Sequence, residues 1–162
     1  MELDGKVALV LGAIKGIGKG VGLALAAQGA GVALNYYDWE ESLPDLQQNF
    51  ADQSSPYLIL RTNLIETEAI KGLIRRVIDH FGRLDILINN IERGGWPIVH
   101  GPYVLQQWDL EIDTCLRAKR WVFEEALPHL KASGNGVVIN ISSIAGIVGR
   151  TGPAGQFFNE GY

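Results

Sequence analysis

The sequence predicts an α/β fold in which a doubly wound parallel sheet of about five strands carries helices on both faces. Two observations predict this fold class. Short apolar runs alternate with helical patterns along the chain, which is typical of successive β-α-β units. A glycine-rich turn also separates the first apolar run from the first helical pattern. Because β-α-β crossovers are right-handed, the strands should form one parallel sheet.

Each predicted strand is a short apolar run bounded by polar or glycine residues. The runs are Lys6–Leu11, Gly31–Tyr36, Tyr57–Arg61, Leu84–Ile88 and Gly136–Ile141. Apolar residues at helical spacing predict the helices, at Gly16–Gln28, 42–52, Thr67–Phe81 and Gln106–Lys131. Ligands bind such sheets at the carboxyl ends of the strands. The residues that follow the strands are therefore the candidates for chemistry.

The composition is that of a soluble globular chain. Of its 162 residues, 47% are hydrophobic and 20% are charged, and the formal net charge is -4. One domain over residues 1–162 is expected, with no nucleic-acid or membrane partner. A single cysteine and the lack of a signal peptide or a transmembrane-length apolar run predict a cytoplasmic location. The histidines are scattered, so no metal site is expected.

The turn after the first strand has glycines where a dinucleotide site needs them. Gly12 permits a tight turn, Gly16 lets the backbone approach a pyrophosphate, and Gly18 lets the helix pack closely against the sheet. The start of the helix then presents unpaired N–H groups and the positive end of its dipole. The strand–glycine–helix context favours dinucleotide binding over a structural turn.

The glycine spacing G-x-x-x-G-x-G resembles the cofactor loop of the short-chain dehydrogenase/reductase family. Further matches follow in the family's order, at Asn63-Leu64, Asn89-Asn90, Trp108-Asp109 and Ile139–Ser143. The resemblance implies a Rossmann fold and an NAD(P)-dependent oxidoreductase acting on a small-molecule carbonyl or secondary alcohol. It implies these cofactor-binding residues: Gly12, Lys15, Gly16, Ile17, Gly18, Tyr36, Asp38, Asn63, Leu64, Asn89 and Asn90.

The choice between NAD and NADP depends on the end of the second strand. NAD enzymes usually place an acid there to accept hydrogen bonds from the ribose, but this chain has Tyr36. Asp38 lies two residues later and is either a ribose ligand or a solvated loop charge. Lys15 stands where NADP-using members of the family often carry a base, and a cation there pairs with the 2′-phosphate. We therefore expect NADP rather than NAD.

The resemblance also implies a catalytic serine and tyrosine. Ser143 matches the serine, which orients the substrate oxygen. Tyr162, the one tyrosine after Ser143, fits the acid–base group if the intervening loop carries an insertion. The family's lysine, four residues further on, lowers the pKa of the phenol. The sequence ends at Tyr162, so we expect the 162-residue chain to be inactive by itself.

Some residues depart from the family pattern. Glu92 replaces a glycine after the paired asparagines, and Cys115 stands where the family has an asparagine. A second interpretation is thus a non-catalytic nucleotide-binding module that acts as a sensor or scaffold. Another Rossmann enzyme, such as a methyltransferase, explains the glycine loop but not Asn89-Asn90 or Ser142-Ser143. Family members are longer, so the final strands and helices are expected to be missing, and the full-length form is expected to be a homo-oligomer.

Overall fold

A computed structural model describes residues 2–92 and 105–143 of the chain. The strands in these residues are β1 (Val7–Val10), β2 (Gly31–Tyr36), β3 (Tyr57–Arg61), β4 (Ile86–Asn89) and β5 (Val137–Asn140). The helices are α1 (Gly16–Ala27), α2 (Leu43–Ala51), α3 (Thr67–Phe81), α4 (Leu105–Ile112) and α5 (Ala118–Ala132). A 3-10 turn at Glu40–Ser42 precedes α2, and a π-helical turn at Asp113–Arg117 joins α4 to α5.

The strands form one parallel sheet in the order β3-β2-β1-β4-β5. The chain proceeds outward from β1 to β3, and then returns to the other side of β1 for β4 and β5. The order of the strands therefore reverses between β1 and β4, where open α/β sheets bind their ligands. This arrangement confirms the predicted α/β doubly wound fold class.

Two hydrophobic layers cover the faces of the sheet. On one face, α3 and α5 bury apolar residues such as Leu73, Val77 and Val122. On the other face, α1 and α2 bury Leu46 and Phe50 against the residues of β1 and β2. Because β1 is covered on both faces, its four residues are all buried, as its continuous apolar run predicts.

The segment predicted as one long helix is interrupted by the π-helical turn at Asp113–Arg117. Such a turn adds a residue to the helical repeat, which shifts the face that later residues present, and it is common near functional sites. Cys115 in this turn is buried, whereas Leu116 is 45% exposed despite being apolar. The long helical pattern predicted over Gln106–Lys131 is thus helical throughout, and the π-helical turn within it is a feature that the pattern did not predict.

Strand β5 lies at the edge of the sheet, next to β4 alone among the described strands. Val137, Val138 and Ile139 are 46%, 37% and 44% exposed. An apolar run of this kind is typical of a strand in the interior of a sheet. Here it leaves apolar side chains exposed at the edge of the described sheet.

A buried carboxylate closes the amino end of the sheet. Asp85 is 1% exposed and accepts a hydrogen bond from the Val7 backbone N–H at 3.0 Å. Lys6 donates to it at 3.1 Å, and Arg83 donates twice, at 2.7 and 2.6 Å. Burial by itself raises the pKa of Asp85, but these hydrogen bonds, foremost that of Arg83, outweigh burial and hold the pKa below its ordinary value. We call these four residues the Asp85 cluster.

Candidate functional site

A cavity of about 320 Å³ lies at the carboxyl end of the sheet. The loops after β1, β2, β3 and β4 supply most of its wall, and Leu110 and Thr114 close it from the helical side. The site residues predicted from the sequence that line it are Gly12, Lys15, Gly16, Ile17, Tyr36, Asp38, Asn63, Leu64 and Asn90. The fold thus brings most of the predicted cofactor-binding residues together around one opening.

The glycines of the loop differ in how much space surrounds them. Gly12 has a φ of +65°, and a Cβ placed on Gly18 would lie 2.2 Å from the carbonyl oxygen of Gly12. No real Cβ contact is that short, so Gly18 allows the start of α1 to approach β1 closely. Gly16 has a φ of +56°, and a Cβ there would meet nothing within 4 Å. The backbone at Gly16 is therefore open to a ligand.

The paired asparagines have different surroundings. The side-chain amide of Asn90 donates to the Gly12 carbonyl oxygen at 3.0 Å and fixes the glycine loop against the end of β4. Asn89 is 2% exposed, and its amide donates to the side-chain oxygen of Asn140 on β5 at 2.6 Å. Asn89 is not among the described residues that line the cavity. Its contacts indicate that it joins two strands rather than facing the opening.

The corner between β2 and α2 is unusually aromatic. Tyr36 is buried, while Tyr37 is 46% exposed. Trp39 follows with a φ of +61°, a left-handed conformation that is strained for a bulky residue. The ammonium nitrogen of Lys15 lies 2.8 Å from the centre of the Trp39 ring. Sequence analysis singled out Lys15 but missed Trp39, although three aromatic residues within four positions of a polar corner were a usable signal.

In the loop after β3, the side chain of Asn63 forms hydrogen bonds with nearby residues of the same loop. Asn63 donates to the Glu66 carboxylate at 2.8 Å, and its side-chain oxygen accepts from the Ile65 N–H at 3.4 Å. Leu64 is 6% exposed and packs into the core while also lining the cavity. The pair therefore shapes the wall of the cavity through an ordered turn.

The candidate catalytic residues are not gathered at the cavity by the described structure. Ser143 follows β5 and is partly buried, but it is not among the described residues that line the cavity. Tyr162 lies outside the described residues.

A buried lysine lies beside the cavity, and sequence analysis missed it. Lys119, in the first turn of α5, is 9% exposed. Burial lowers the pKa of Lys119, and the nearby Cys115 and Glu92 offset only part of this effect. Glu92 itself lines the cavity. Cys115 is 2% exposed, as expected for a packing residue.

The described residues contain neither a cluster of potential metal ligands nor a membrane-spanning helix. Residues 2–92 and 105–143 contain no group of three or more His, Cys, Asp or Glu side chains that could hold a metal ion. In the same part of the chain, no helix has both the length and the apolar character that crossing a membrane requires.

Comparison with known proteins gives one consistent family. The profile described as short chain dehydrogenase matches residues 6–154. The 3-oxoacyl-acyl-carrier-protein reductase FabG of Staphylococcus aureus (strain N315) is 32% identical over 153 residues, which cover 92% of this chain and 60% of that protein. The corresponding FabG of Thermotoga maritima is 31% identical over 156 residues, covering 94% of this chain and 61% of that protein. The chain thus spans about 60% of the length of these curated relatives.

Solved structures agree with that match. A metagenomic short-chain oxidoreductase in complex with NADP superposes with a TM-score of 0.86 at 29% identity, covering 99% of this chain and 72% of that one. An NAD⁺-bound xylitol dehydrogenase superposes with a TM-score of 0.88, covering 99% of this chain and 62% of that one. Its identity is 24%, so this second likeness shows the fold alone.

Proposed function

Because this chain belongs to the short chain dehydrogenase family, we propose that its protein is an NAD(P)-dependent oxidoreductase acting on a carbonyl or secondary alcohol. The observation that carries the proposal is the glycine loop at the edge of the cavity. The backbone at Gly16 is open, Gly18 leaves no room for a side chain, and Gly12 has a φ of +65° that favours glycine. A loop of this shape at the start of a helix suits a pyrophosphate, which the N–H groups of α1 would bind.

The residues present fit a dinucleotide. Lys15, Ile17 and the loop after β2 would surround the adenosine half, while Asn90 holds the glycine loop in place by its bond to the Gly12 carbonyl. When bound, the nicotinamide would accept or supply the hydride. The chain's own contribution here is to bind and orient the cofactor, because positioning accounts for a large part of such catalysis.

We propose NADP(H) as the preferred cofactor. Lys15 lines the cavity and can pair with a 2′-phosphate, and the end of β2 carries Tyr36 where NAD enzymes have an acid. Asp38 also lines the cavity, and its carboxylate would accept hydrogen bonds from the ribose hydroxyls of NAD(H).

For the chemical step we propose that Ser143 orients the substrate oxygen and that Tyr162 exchanges the proton. A phenol with a pKa of about 10 needs a nearby cation to work at neutral pH. The FabG relatives make a 3-oxoacyl thioester the first substrate to test.

Calorimetric titration with NADP⁺ and NAD⁺ tests the binding step. We expect NADP⁺ to bind more tightly, and the Gly16→Val variant to lose binding of both cofactors, because a branched side chain at a φ of +56° blocks the approach of the pyrophosphate. Unchanged affinity in Gly16→Val would refute the proposed site.

The second candidate function is a non-catalytic nucleotide-binding module, a sensor or scaffold. Glu92 and Cys115 favour it, because they replace a glycine and an asparagine that the family uses near the reacting groups. The two functions differ in one measurement. A module binds the dinucleotide in a full-length protein without oxidising NADPH in the presence of ketones, aldehydes or 3-oxoacyl thioesters.

The domain organisation, cellular location and oligomeric state of the protein are also proposals. We propose that residues 1–162 belong to one nucleotide-binding domain, and that the protein works in the cytoplasm as a homo-oligomer. The single cysteine and the absence of a long apolar run support the location, and the apolar surface of β5 supports assembly. Light scattering of the full-length protein measures its oligomeric state directly.

A further inference from the structure

The contact between Lys15 and Trp39 is the feature of the cavity that the family pattern does not explain. The Lys15 ammonium lies over the Trp39 indole at 2.8 Å from its centre, and both residues line the cavity. Within the described residues, Trp39 is also the only one other than glycine with a positive φ. Strained conformations of this kind persist where the surrounding structure holds them, and they cluster at ligand sites.

We propose that Trp39 is a specificity-determining residue, which holds the Lys15 ammonium at the cavity so that it can bind a phosphate on the adenosine ribose. This inference rests on the proposed nucleotide-binding function and adds to it the residue that prepares the cation. Trp39 acts through Lys15, so its effect should fall on NADP(H) and not on NAD(H).

The physical basis is preorganisation. A lysine side chain loses much of its conformational entropy when a ligand fixes it. The negative face of an indole attracts an ammonium, and tryptophan is the strongest aromatic partner for a cation. Over the ring, the Lys15 ammonium has already lost part of its freedom, and it still has N–H groups to donate because an ammonium carries three. Phosphate then binds at a smaller entropic cost.

The charges around the corner make Lys15 the relevant cation. Arg61 lies close by, but its guanidinium is paired with the Glu40 carboxylate at 2.7 Å and donates to the Tyr37 carbonyl oxygen at 3.1 Å. Arg61 is also not among the described residues that line the cavity. Asp38, next to Trp39, lines the cavity and would repel a phosphate. Lys15 is the one lysine or arginine among the described residues that line the cavity, so its position decides how a phosphate is bound there.

Two substitutions separate the ring from the backbone conformation. Trp39→Asn removes the aromatic face but keeps a residue that tolerates the left-handed region. Trp39→Phe keeps an aromatic face that attracts a cation less strongly. Dissociation constants for NADP⁺ and NAD⁺ would be measured by calorimetry for the wild-type chain, both variants, Lys15→Ala, and the Trp39→Asn/Lys15→Ala double variant.

We expect Trp39→Asn to reduce the preference for NADP⁺ over NAD⁺ by roughly threefold to tenfold, the range set by one cation–π contact. Trp39→Phe should reduce it less. In the Lys15→Ala background, Trp39→Asn should change the preference by less than about twofold, because the two side chains act as one unit. The melting temperature of Trp39→Asn should stay the same or rise, since the backbone strain is relieved.

Each other outcome has a distinct meaning. An equal loss of both cofactors in Trp39→Asn, or an effect as large in the Lys15→Ala background as in the wild type, overturns the role of Trp39. If Lys15→Ala changes the preference and Trp39→Asn does not, this inference fails while the proposed function stands. If the wild-type chain binds neither cofactor, the proposed function fails and the inference fails with it.

Discussion

The two ends of the sheet are built on opposite principles. At the carboxyl end, the glycine loop borders a cavity that the charged residues Lys15 and Asp38 also line. At the amino end, the Asp85 cluster buries a carboxylate and surrounds it with donors. The carboxyl end keeps an open cavity, whereas the amino end uses its polar groups to join β1 to β4. The difference separates the residues that serve a ligand from those that serve stability.

The largest effect should come from filling the space at the carboxyl end. We expect Gly18→Val to abolish cofactor binding and to destabilise the fold by about 3 kcal/mol, because its Cβ would lie 2.2 Å from the Gly12 carbonyl oxygen. Calorimetry and urea unfolding measure the two consequences. Gly20→Ala is the matched control, since its Cβ would meet nothing within 4 Å. The control should bind normally and gain up to about 1 kcal/mol of helix stability.

At the amino end, we expect Asp85→Ala to destabilise the fold by about 2–3 kcal/mol, because it removes a buried carboxylate that holds four hydrogen bonds. Lys6 and Arg83 are partly exposed and can return to water, which limits the loss. Urea unfolding measures the change, and the cofactor affinity of the folded protein should not alter. A loss of affinity at full folding would show that the two ends are coupled. Asp45→Ala removes an exposed carboxylate bonded to Lys19, and it should change the free energy of unfolding much less than Asp85→Ala does.

The Asp85 cluster should make the free energy of unfolding depend on pH. The folded pKa of Asp85 lies below its ordinary value, so its contribution is complete above the unfolded pKa of about 3.9 and is lost as the pH falls through the folded pKa. Comparing wild type with Asp85→Asn in urea between about pH 6 and pH 2 isolates this contribution. We expect the stability difference between the two proteins to shrink as the pH falls below about 4. A constant difference would contradict the assignment.

A smaller effect, an increase in the free energy of unfolding, is expected from a substitution of Lys119 beside the cavity. Lys119 is 9% exposed, and burial lowers its pKa, so at neutral pH its charge destabilises the fold. Lys119→Met should therefore raise the free energy of unfolding by about 1 kcal/mol. The gain should decrease as the pH rises through the lowered folded pKa of Lys119, and the penalty should be gone above the unfolded lysine pKa of about 10.4, where the amine is neutral in both states. A loss of stability instead would mean that the ammonium has a compensating partner.

The sequence was most informative where local pattern and tertiary burial agree. Gly31–Tyr36, Tyr57–Arg61 and Thr67–Phe81 were predicted at their observed bounds, because apolar spacing and flanking glycines act over a few residues. The burial of Lys119 could have been predicted from the same pattern. Lys119 follows the buried Cys115 by four positions, a spacing that places two residues on one side of a helix. It was overlooked because a lysine is expected at the surface.

The contacts that were missed join residues far apart in the chain. Trp39 meets Lys15 across 24 positions, and its left-handed backbone depends on the 3-10 turn that follows it. Asp85 was predicted only as part of a strand, because its donors Lys6 and Val7 lie 79 and 78 positions away in the sequence. Hydrophobic periodicity concerns residues a few positions apart, so it does not predict such pairs. The role of Ser143 depends on residues outside those described, so its assignment stays a prediction.

The order in which the cavity wall is synthesised has a consequence for how the protein matures. Except for Leu110 and Thr114, every described residue that lines the cavity precedes residue 93, as do strands β1 to β4. Chains grow at roughly 5–20 residues per second, so this half leaves the ribosome several seconds before β5 is complete. A dinucleotide that binds the early half would stabilise it by mass action while the remaining strand is still being made. The cofactor would then assist folding of the nascent chain before it assists any reaction.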